Sequence, residues 1–345
     1  MNNKKEISKT ISIEFLYQSE HYSNTLESLK NNTLASVRLR IAVAAIAAEE
    51  LNWKILLTDT NNNYSPNFLI VGKVSPTNTT STTRWLSRIE KVKESYGKVV
   101  LDYTDHHLET DSKVGDFYRE AVKKANLIVC SSSVLEMNVK KYSAIDTVII
   151  EEPIEVPILN PINKNNHLPV ILWFGHASNL KYLFECLINH FSSSIHARLI
   201  LMTNLYPLPE NLVQILNIPQ LENIDIQVIP WNKYDMIKAA QLSDFCLIPT
   251  GYKDVRKMGA SSNRLLTALA MGLPVLTDGL DSYNKYSQYF TEISSKAIQE
   301  FTSNPMTNKD LIIKAQKTIA EKYTTAVVSK NWVSVFTSLL NEVPN

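Results

Sequence analysis

The chain has 345 residues, which is enough for two domains, and its 44% hydrophobic and 20% charged residues are typical of a globular protein. A formal net charge of +1 argues against a nucleic-acid-binding protein, which would show an excess of basic residues. No apolar run approaches the roughly 20 residues of a membrane span, and the first residues lack the apolar core of a signal peptide, so we expect a cytoplasmic protein.

Strand-like and helix-like segments alternate through the first half of the chain. The pattern predicts strands over 11–17, 54–58, 68–74, 98–103, 127–131 and 147–151, and helices over 36–51, 116–125 and 134–141. A series of this kind is typical of a mostly parallel sheet with helices on both faces.

The segment 83–98 has apolar residues at helical spacing. The apolar set is Trp85, Leu86, Ile89 and Val92, and the basic residues that fall mostly between them are Arg84, Arg88, Lys91 and Lys93. Two interpretations are open. The helix packs its apolar face on the sheet, or it forms a basic amphipathic surface for peripheral association with the cytoplasmic face of the inner membrane.

A stretch rich in proline and asparagine interrupts the series and is typical of a linker between domains. A second series follows, with strands predicted over 170–174, 197–202, 224–229, 245–248 and 275–276, and helices over 180–191, 235–241 and 308–340. We therefore divide the chain into an N-terminal domain (1–152), a linker (153–168), a C-terminal domain (169–307) and a helical tail (308–345) that packs back across the domains.

The stretch 243–278 combines a short apolar strand, a basic loop and a helix. The helix start has residue types that favour capping, Ser261, Ser262 and Asn263. Gly272 and Pro274 end the helix. The loop before it carries three cations, Lys253, Arg256 and Lys257. Free N–H groups at a helix start with cations nearby are typical of a phosphate site, although each cation taken alone is as well explained as a solvated surface charge.

Three segments of the second half carry a family resemblance: ILWFGHASNLKYL, VIPWNKYDMIKAAQLSDFCLIPT and SSNRLLTALAMGLPVLTD. They resemble the nucleotide-sugar-binding domain of GT-B-fold glycosyltransferases, most of all family 4 of the retaining enzymes. In the first half, VVLDYTDHHLET followed by FYREAVKKANLIVCSSSVLEMNV resembles another pattern of these enzymes. The resemblance implies an α/β fold of two Rossmann-like doubly wound domains that face a cleft.

The matching segments depart from the family pattern at defined positions. Gly175 and Lys181 match the family's Gly and the Lys six residues later, whereas His176 stands where Arg is usual. The family's two glutamates, eight positions apart, are replaced by Gly259 and Thr267. Thr267 keeps one hydroxyl for the donor where the family has a carboxylate.

The resemblance implies a metal-independent glycosyltransferase without a cofactor. Such an enzyme moves a sugar from a nucleoside diphosphate sugar to a saccharide or lipid-linked acceptor, here in surface polysaccharide biosynthesis. Cations and N–H dipoles would stabilise the charge of the leaving diphosphate. The expected donor-binding residues are Gly175, His176, Lys181, Arg256, Lys257, Ser261, Ser262, Asn263 and Thr267. We predict no metal site, because no ligand cluster has zinc spacing, and we expect buried reduced thiols at Cys130, Cys186 and Cys246.

A polar cluster ends the predicted strand 98–103: Asp102, Asp105, His106 and His107. In the implied fold this strand end faces the cleft, where ligands bind. Asp105 or His106 would then be the catalytic base for the acceptor hydroxyl, with Asp102 on the acceptor side. The alternative is that the two aspartates cap the turn that follows.

Two further side chains have a functional and a structural interpretation. Trp231 either stacks on the nucleobase, an interaction worth roughly 1–3 kcal/mol, or packs beside Pro230. Arg38, with Arg40 beside it, either binds an anionic acceptor or lies on a solvated helix face.

Two other functions are open for this chain. One is a GT-B nucleotide-sugar 2-epimerase, which would turn over a nucleotide sugar without an acceptor. The other is a non-catalytic nucleotide- or sugar-binding partner of another glycosyltransferase, which the absent glutamate pair motivates.

Overall fold

The computed structural model describes residues 10–19, 25–57, 64–74, 80–161, 167–303 and 309–341. The chain forms two compact units. The first unit comprises Met1–Glu152 together with Thr325–Asn345, and the second comprises Pro153–Thr324. The first unit is therefore assembled from both ends of the chain, whereas the second is continuous.

The described part of the first unit contains a six-stranded parallel sheet. Its strands are β1 (Ser12–Leu16), β2 (Lys54–Leu57), β3 (Phe68–Val71), β4 (Lys98–Tyr103), β5 (Leu127–Cys130) and β6 (Thr147–Ile149). Its helices before residue 152 are α1 (Leu26–Lys30), α2 (Ala42–Glu50), α3 (Ser81–Glu94), α4 (Lys113–Lys124) and α5 (Ser133–Lys140), and a π-helical segment, Val37–Ile41, leads into α2. The strand order β2-β1-β3-β4-β5-β6 reverses direction between β1 and β3.

Buried side chains cover both faces of this sheet. In β3, Phe68 and Ile70 join a core cluster that includes the alanine-rich helix α2. Leu69 and Val71 of the same strand join a second cluster with α3 and α4. Because successive side chains of a strand point to opposite faces, a strand buried on both sides needs the continuous apolar run that β3 has.

Helix α3 packs its apolar face on the sheet. Trp85, Ile89 and Val92 are buried in the second core cluster of the first unit. Arg88 is only 5% exposed, and its Nε donates to Oε1 of the buried Glu14 at 3.1 Å. The packing interpretation of this segment is confirmed, and its apolar face is not available to a lipid surface. Within the described ranges, no helix has the length and apolar character needed to cross a bilayer.

The described part of the second unit also contains a six-stranded parallel sheet, of order β12-β11-β10-β7-β8-β9. Its strands are β7 (Val170–Phe174), β8 (Ala197–Thr203), β9 (Ile224–Pro230), β10 (Phe245–Ile248), β11 (Val275–Thr277) and β12 (Thr291–Glu292). Its helices are α6 (Leu180–His190), α7 (Glu210–Leu216), α8 (Lys233–Leu242), α9 (Asn263–Ala270), α10 (Ser295–Ser303) and α11 (Lys309–Lys322). Short 3₁₀ segments lie at Ala177–Asn179, Pro219–Leu221, Val255–Lys257 and Asp281–Tyr289.

The tail predicted as helical over 308–340 is divided between the two units. Helix α11 packs on α9 in the second unit. The helical structure is then interrupted at Thr324, which pairs with Ile154 in an isolated β-bridge. The last helix, α12 (Thr325–Asn341), belongs to the first unit and packs along α2.

Polar caps explain why two helices begin earlier than their apolar periodicity predicts. Helix α4 begins at Lys113, because Ser112 Oγ accepts from the N–H of Gly115 at 3.1 Å. Helix α8 begins at Lys233, because Asn232 Oδ1 accepts from the N–H of Asp235 at 2.8 Å. A hydrogen bond from the capping side chain therefore fixes where each helix begins.

Candidate functional site

The second sheet has its topological switch point between β7 and β10. The chain runs from β7 outward to β8 and β9, and then returns to add β10, β11 and β12 on the other side. Ligands of doubly wound sheets bind at the carboxyl ends of the strands at such a point. Gly175 directly follows β7, and the loop 249–262 follows β10. We place the candidate site of the second unit at this edge.

The carboxylate of Asp254 fixes the loop 249–262 to helix α6. Tyr182 Oη donates to Asp254 Oδ2 at 2.6 Å, and Lys181 Nζ lies 3.3 Å from the same oxygen. Arg256 binds the carboxylate in a bidentate manner: Nε donates to Oδ1 at 3.0 Å, and Nη2 donates to Oδ2 at 2.7 Å. Two predicted phosphate-binding residues are thus brought together by an acid that sequence reasoning did not select.

Gly251 allows the loop to pass over the ring of Tyr182. Its φ is +70°, and a Cβ built on it would lie 2.1 Å from Cε1 of Tyr182. The Nζ atoms of Lys181 and Lys257 lie 4.5 and 6.0 Å from the centroid of the same ring. Tyr182 therefore stands beside two of the cations that the sequence assigned to the donor phosphates.

The start of α9 is held by contacts within the second unit. Ser261 Oγ accepts from the N–H of Asn263 at 3.1 Å, and Asn263 Nδ2 donates to the carbonyl of Pro153 at 2.7 Å. Thr267 is 2% exposed, and its hydroxyl donates to Asn263 Oδ1 at 3.4 Å. Ser262 is also buried. The polar groups of Asn263 and Thr267 are therefore used to anchor the helix start.

The sequence analysis did not select Arg264, a cation at this edge whose Nε and Nη2 have no hydrogen-bond partner among the described residues. The side chain lies in the first turn of α9, and a Cβ on Gly175 would lie 3.3 Å from its Cζ. Both nitrogens are shielded from solvent. The signal in the sequence is a charged residue directly before the apolar run of a helix, Leu265 and Leu266.

Two other predicted donor residues have local roles. His176 is exposed, and its Nδ1 accepts from the N–H of Ser178 at 3.2 Å at the start of a 3₁₀ turn. Trp231 is partly buried and packs against the core of the second unit. Its backbone N–H donates to the carbonyl of Thr203 at 2.8 Å. Trp231 thus contacts the core, and its stacking on a nucleobase stays a prediction.

In the first unit, Asp102 forms a buried ion pair with Arg40. Both residues are 1% exposed, and Arg40 Nε lies 3.1 Å from each carboxylate oxygen. Arg40 Nη1 also donates to the carbonyl of Ile150. The structure does not bring Arg38 to this pair, because Arg38 Nη1 donates to the carbonyls of Asn32 and Thr33 at 2.6 and 2.9 Å. Asp102 therefore holds the sheet to the π-helical segment that leads into α2.

The remaining polar residues after β4 differ in accessibility. Asp105 pairs with Lys73, which lies just beyond β3, and the two side chains are 26% and 33% exposed. His106 is 1% exposed, with Nε2 3.1 Å from Glu109 Oε2 and Nδ1 3.4 Å from Asn138 Nδ2. The proximity of His106 is also the main cause that lowers the pKa of Glu109. Of the two proposed bases, Asp105 is thus the one that solvent reaches.

We expect the carboxyl of Asp254 to titrate below the ordinary range of aspartate, which is near pH 3.9. Hydrogen bonds from Arg256 are the largest cause that lowers the pKa of Asp254, and hydrogen bonds from Tyr182 and Lys181 lower it further. Partial burial of the carboxyl acts in the opposite direction and raises the pKa. A lowered folded-state pKa means that the contact stabilises the fold above the unfolded pKa and is lost only as the pH falls through the lowered value. The loop should therefore stay fixed to α6 at every pH above the ordinary pKa of aspartate, near 3.9, and come free only below it.

Carbon-13 NMR of the aspartate side-chain carbonyls measures this titration. Arg256→Met should raise the pKa of Asp254, because it removes the largest of the lowering interactions. An Asp254 carboxyl that titrates at or above about pH 3.9 in the unaltered chain would contradict the expectation.

Known structures share this architecture. No protein-family model matches the sequence, and no curated protein matches it significantly. A glycosyltransferase from Rickettsia africae ESF-5 superposes with a TM-score of 0.61 at 13% identity, covering 96% of this chain and 99% of that one. An α-glucosyltransferase (AGT) in complex with UDP gives a TM-score of 0.55 at 11% identity, covering 95% and 99%. A proposed UDP-N-acetylglucosamine 2-epimerase from Listeria monocytogenes gives 0.54 at 12%, covering 97% and 98%.

These likenesses establish the fold. The two parallel six-stranded sheets with their helices match the two Rossmann-like domains of GT-B glycosyltransferases, so the predicted fold class is confirmed. At identities of 11–13%, the likenesses carry no assignment to family 4 or to a substrate.

Proposed function

We propose that this chain is a glycosyltransferase that moves a sugar from a nucleoside diphosphate sugar to a saccharide or lipid-linked acceptor. The observation that carries the proposal is the group of cations at the switch point of the second sheet. Lys181 and Lys257 lie beside the ring of Tyr182, and Arg264 lies against Gly175 at the end of β7. Cations at this place in a GT-B fold are suited to a diphosphate.

The chemistry requires stabilisation of a leaving diphosphate. As the bond between the sugar and the phosphate oxygen breaks, negative charge accumulates on the diphosphate. Fixed cations stabilise that charge without needing to reorganise during the reaction. Because these side chains supply positive charge, we propose that transfer proceeds without a metal ion.

We place the acceptor at the carboxyl edge of the first sheet. Asp105 and Lys73 lie there, after β4 and β3, and both remain partly exposed. Asp105 is the residue that we propose to orient or deprotonate the acceptor hydroxyl. We propose a role in surface polysaccharide assembly at the cytoplasmic side of the membrane.

A thermal-shift panel of UDP, GDP, dTDP, CDP and CMP tests the donor site. A nucleotide at about 100 times its dissociation constant should stabilise the chain by about 2.7 kcal/mol, which is a rise of a few degrees in Tm. We expect one nucleoside diphosphate to produce this shift, and Lys257→Ala to reduce it because a cation at the diphosphate is lost.

A matched control is Lys238→Ala. Lys238 Nζ also lies over a tyrosine ring, 4.1 Å from the centroid of Tyr234, but on helix α8 and exposed to solvent. This variant should keep the full shift. If no nucleotide shifts the Tm of the folded wild-type chain, the proposal fails, because a transferase of this kind has no other donor to use.

The 2-epimerase is the alternative with an observation in its favour, since a proposed 2-epimerase superposes over 97% of this chain. Incubation of a nucleotide sugar without an acceptor separates the two enzymes: the epimerase converts the sugar, whereas the transferase requires the acceptor. Binding without either reaction, unchanged in Asp105→Asn, would instead indicate the non-catalytic partner.

A further inference from the structure

Among the described residues, no anion pairs with the guanidinium of Arg264. Its Nε and Nη2 are shielded from solvent and lack a hydrogen-bond partner within the described part of the chain. Its Cζ lies 5.3 Å from the ring centroid of Trp173 and 5.7 Å from that of Phe174. These aromatic rings offer no hydrogen-bond acceptor to Nε and Nη2.

Other arginines of this chain show what this pair of nitrogens does when an anion is present. Arg40, Arg88 and Arg256 each direct both Nε and Nη2 at a single carboxylate. The three carboxylates are Asp102, Glu14 and Asp254, respectively. Arg264 has the same planar pair of donors with no carboxylate opposite it among the described residues.

Shielding Nε and Nη2 of Arg264 without a hydrogen-bond partner carries a desolvation cost. Burial lowers the pKa of Arg264, yet a guanidinium keeps its charge at physiological pH. A structural role on Trp173 and Phe174 would be served as well by an apolar side chain of similar length, without the cost of a buried charge. An anion that reaches Nε and Nη2 would satisfy both donors at once.

The guanidinium lies at the place where the second sheet changes direction. A Cβ on Gly175 would lie 3.3 Å from both Cζ and Nη2 of Arg264, so the side chain rests against the backbone at the end of β7. Lys181 is the second residue of the helix that follows the same strand. Nζ of Lys257, from the loop after β10, lies 6.0 Å from the ring centroid of Tyr182. An anion bound by Arg264 would therefore sit at the switch point.

We propose that Arg264 binds the diphosphate of the donor, with Nε and Nη2 donating to two oxygens of one phosphate group. The inference rests on the proposed function and names the residue of α9 that sets the position of the phosphates. Since both nitrogens are shielded without ligand, binding includes a local movement of the side chains that cover them.

Isothermal titration calorimetry with inorganic diphosphate and with UDP tests the proposal on the full chain. Arg264→Met should bind both ligands about 10- to 100-fold more weakly than the wild type, and Arg264→Lys should fall between them. Arg198→Met, which removes an exposed guanidinium paired with Asp225 in the same unit, should bind like the wild type. The Tm of Arg264→Met should stay equal or rise, because the variant loses two shielded and unpaired N–H donor groups of a cation.

Two results would count against the inference in distinguishable ways. Unchanged affinity of Arg264→Met for UDP would overturn it and leave the proposed function intact; a lower Tm in that case would show that Arg264 serves only to pack on Trp173. If the wild-type chain binds neither UDP nor any other nucleoside diphosphate of the panel, the proposed function is overturned, and with it the ligand proposed for Arg264.

Discussion

We expect Asp102→Leu to lower the free energy of unfolding of the first unit by about 3–5 kcal/mol, because it leaves the Arg40 guanidinium buried without its counterion. Both residues are 1% exposed, so water cannot replace the lost partner. Arg40→Met should cost a similar amount, since the carboxylate is then the uncompensated charge. The double variant should recover much of the loss, because two apolar side chains in contact carry no desolvation cost.

Hydrogen exchange followed by mass spectrometry measures this effect in each unit separately. Peptides from α2 and β4 should lose protection, while a matched control, Arg198→Met, should change protection by less than about 1 kcal/mol because its ion pair with Asp225 is exposed. If Asp102→Leu reduced glycosyl transfer and left the protection of the first unit unchanged, Asp102 would belong to the acceptor site and not to the core.

The strands of both sheets other than β12 were predicted from compact apolar runs, which burial on two faces demands; the two exposed residues of β12 form no such run. The predicted bounds of β7 and β10, 170–174 and 245–248, agree with the observed Val170–Phe174 and Phe245–Ile248. Helices α1 and α7 were not predicted, because five and seven residues span less than two turns. Helix α10 was also missed, since only Ala297 and Ile298 of its nine residues are buried. The division of the tail at Thr324 was also missed, since both halves are helical and only their packing partners differ.

The position of the candidate site followed from topology, whereas its contacts did not. Gly175, Lys181 and Lys257 could be assigned to one edge, because the carboxyl ends of parallel strands lie together. The pairing of Arg40 with Asp102 joins residues 62 positions apart, and no local pattern marks it. The same holds for Arg264, whose isolation from any carboxylate among the described residues depends on how α9 meets β7.

Replacement of Trp332 by alanine should lower the free energy of unfolding of the first unit by about 3–5 kcal/mol, because it opens a cavity in the core. Trp332 is 0% exposed, and its ring lies 5.7 Å from both the ring of Phe336 and Cζ of Arg40. Phe336 in turn stacks on Trp53, with ring centroids 5.4 Å apart. The substitution therefore loosens α12 from the helix and strand that it covers.

Trp332→Phe is the matched control and should cost much less. The indole Nε1 of Trp332 has no hydrogen-bond partner within the described residues, so phenylalanine keeps most of the apolar contact and loses no hydrogen bond seen there. Because α12 comes from the end of the chain but completes the first core, Trp332→Ala should reduce exchange protection in α2, β1 and β3, which precede it by hundreds of residues in sequence. Unchanged protection of these elements would mean that the first unit holds together without its last helix.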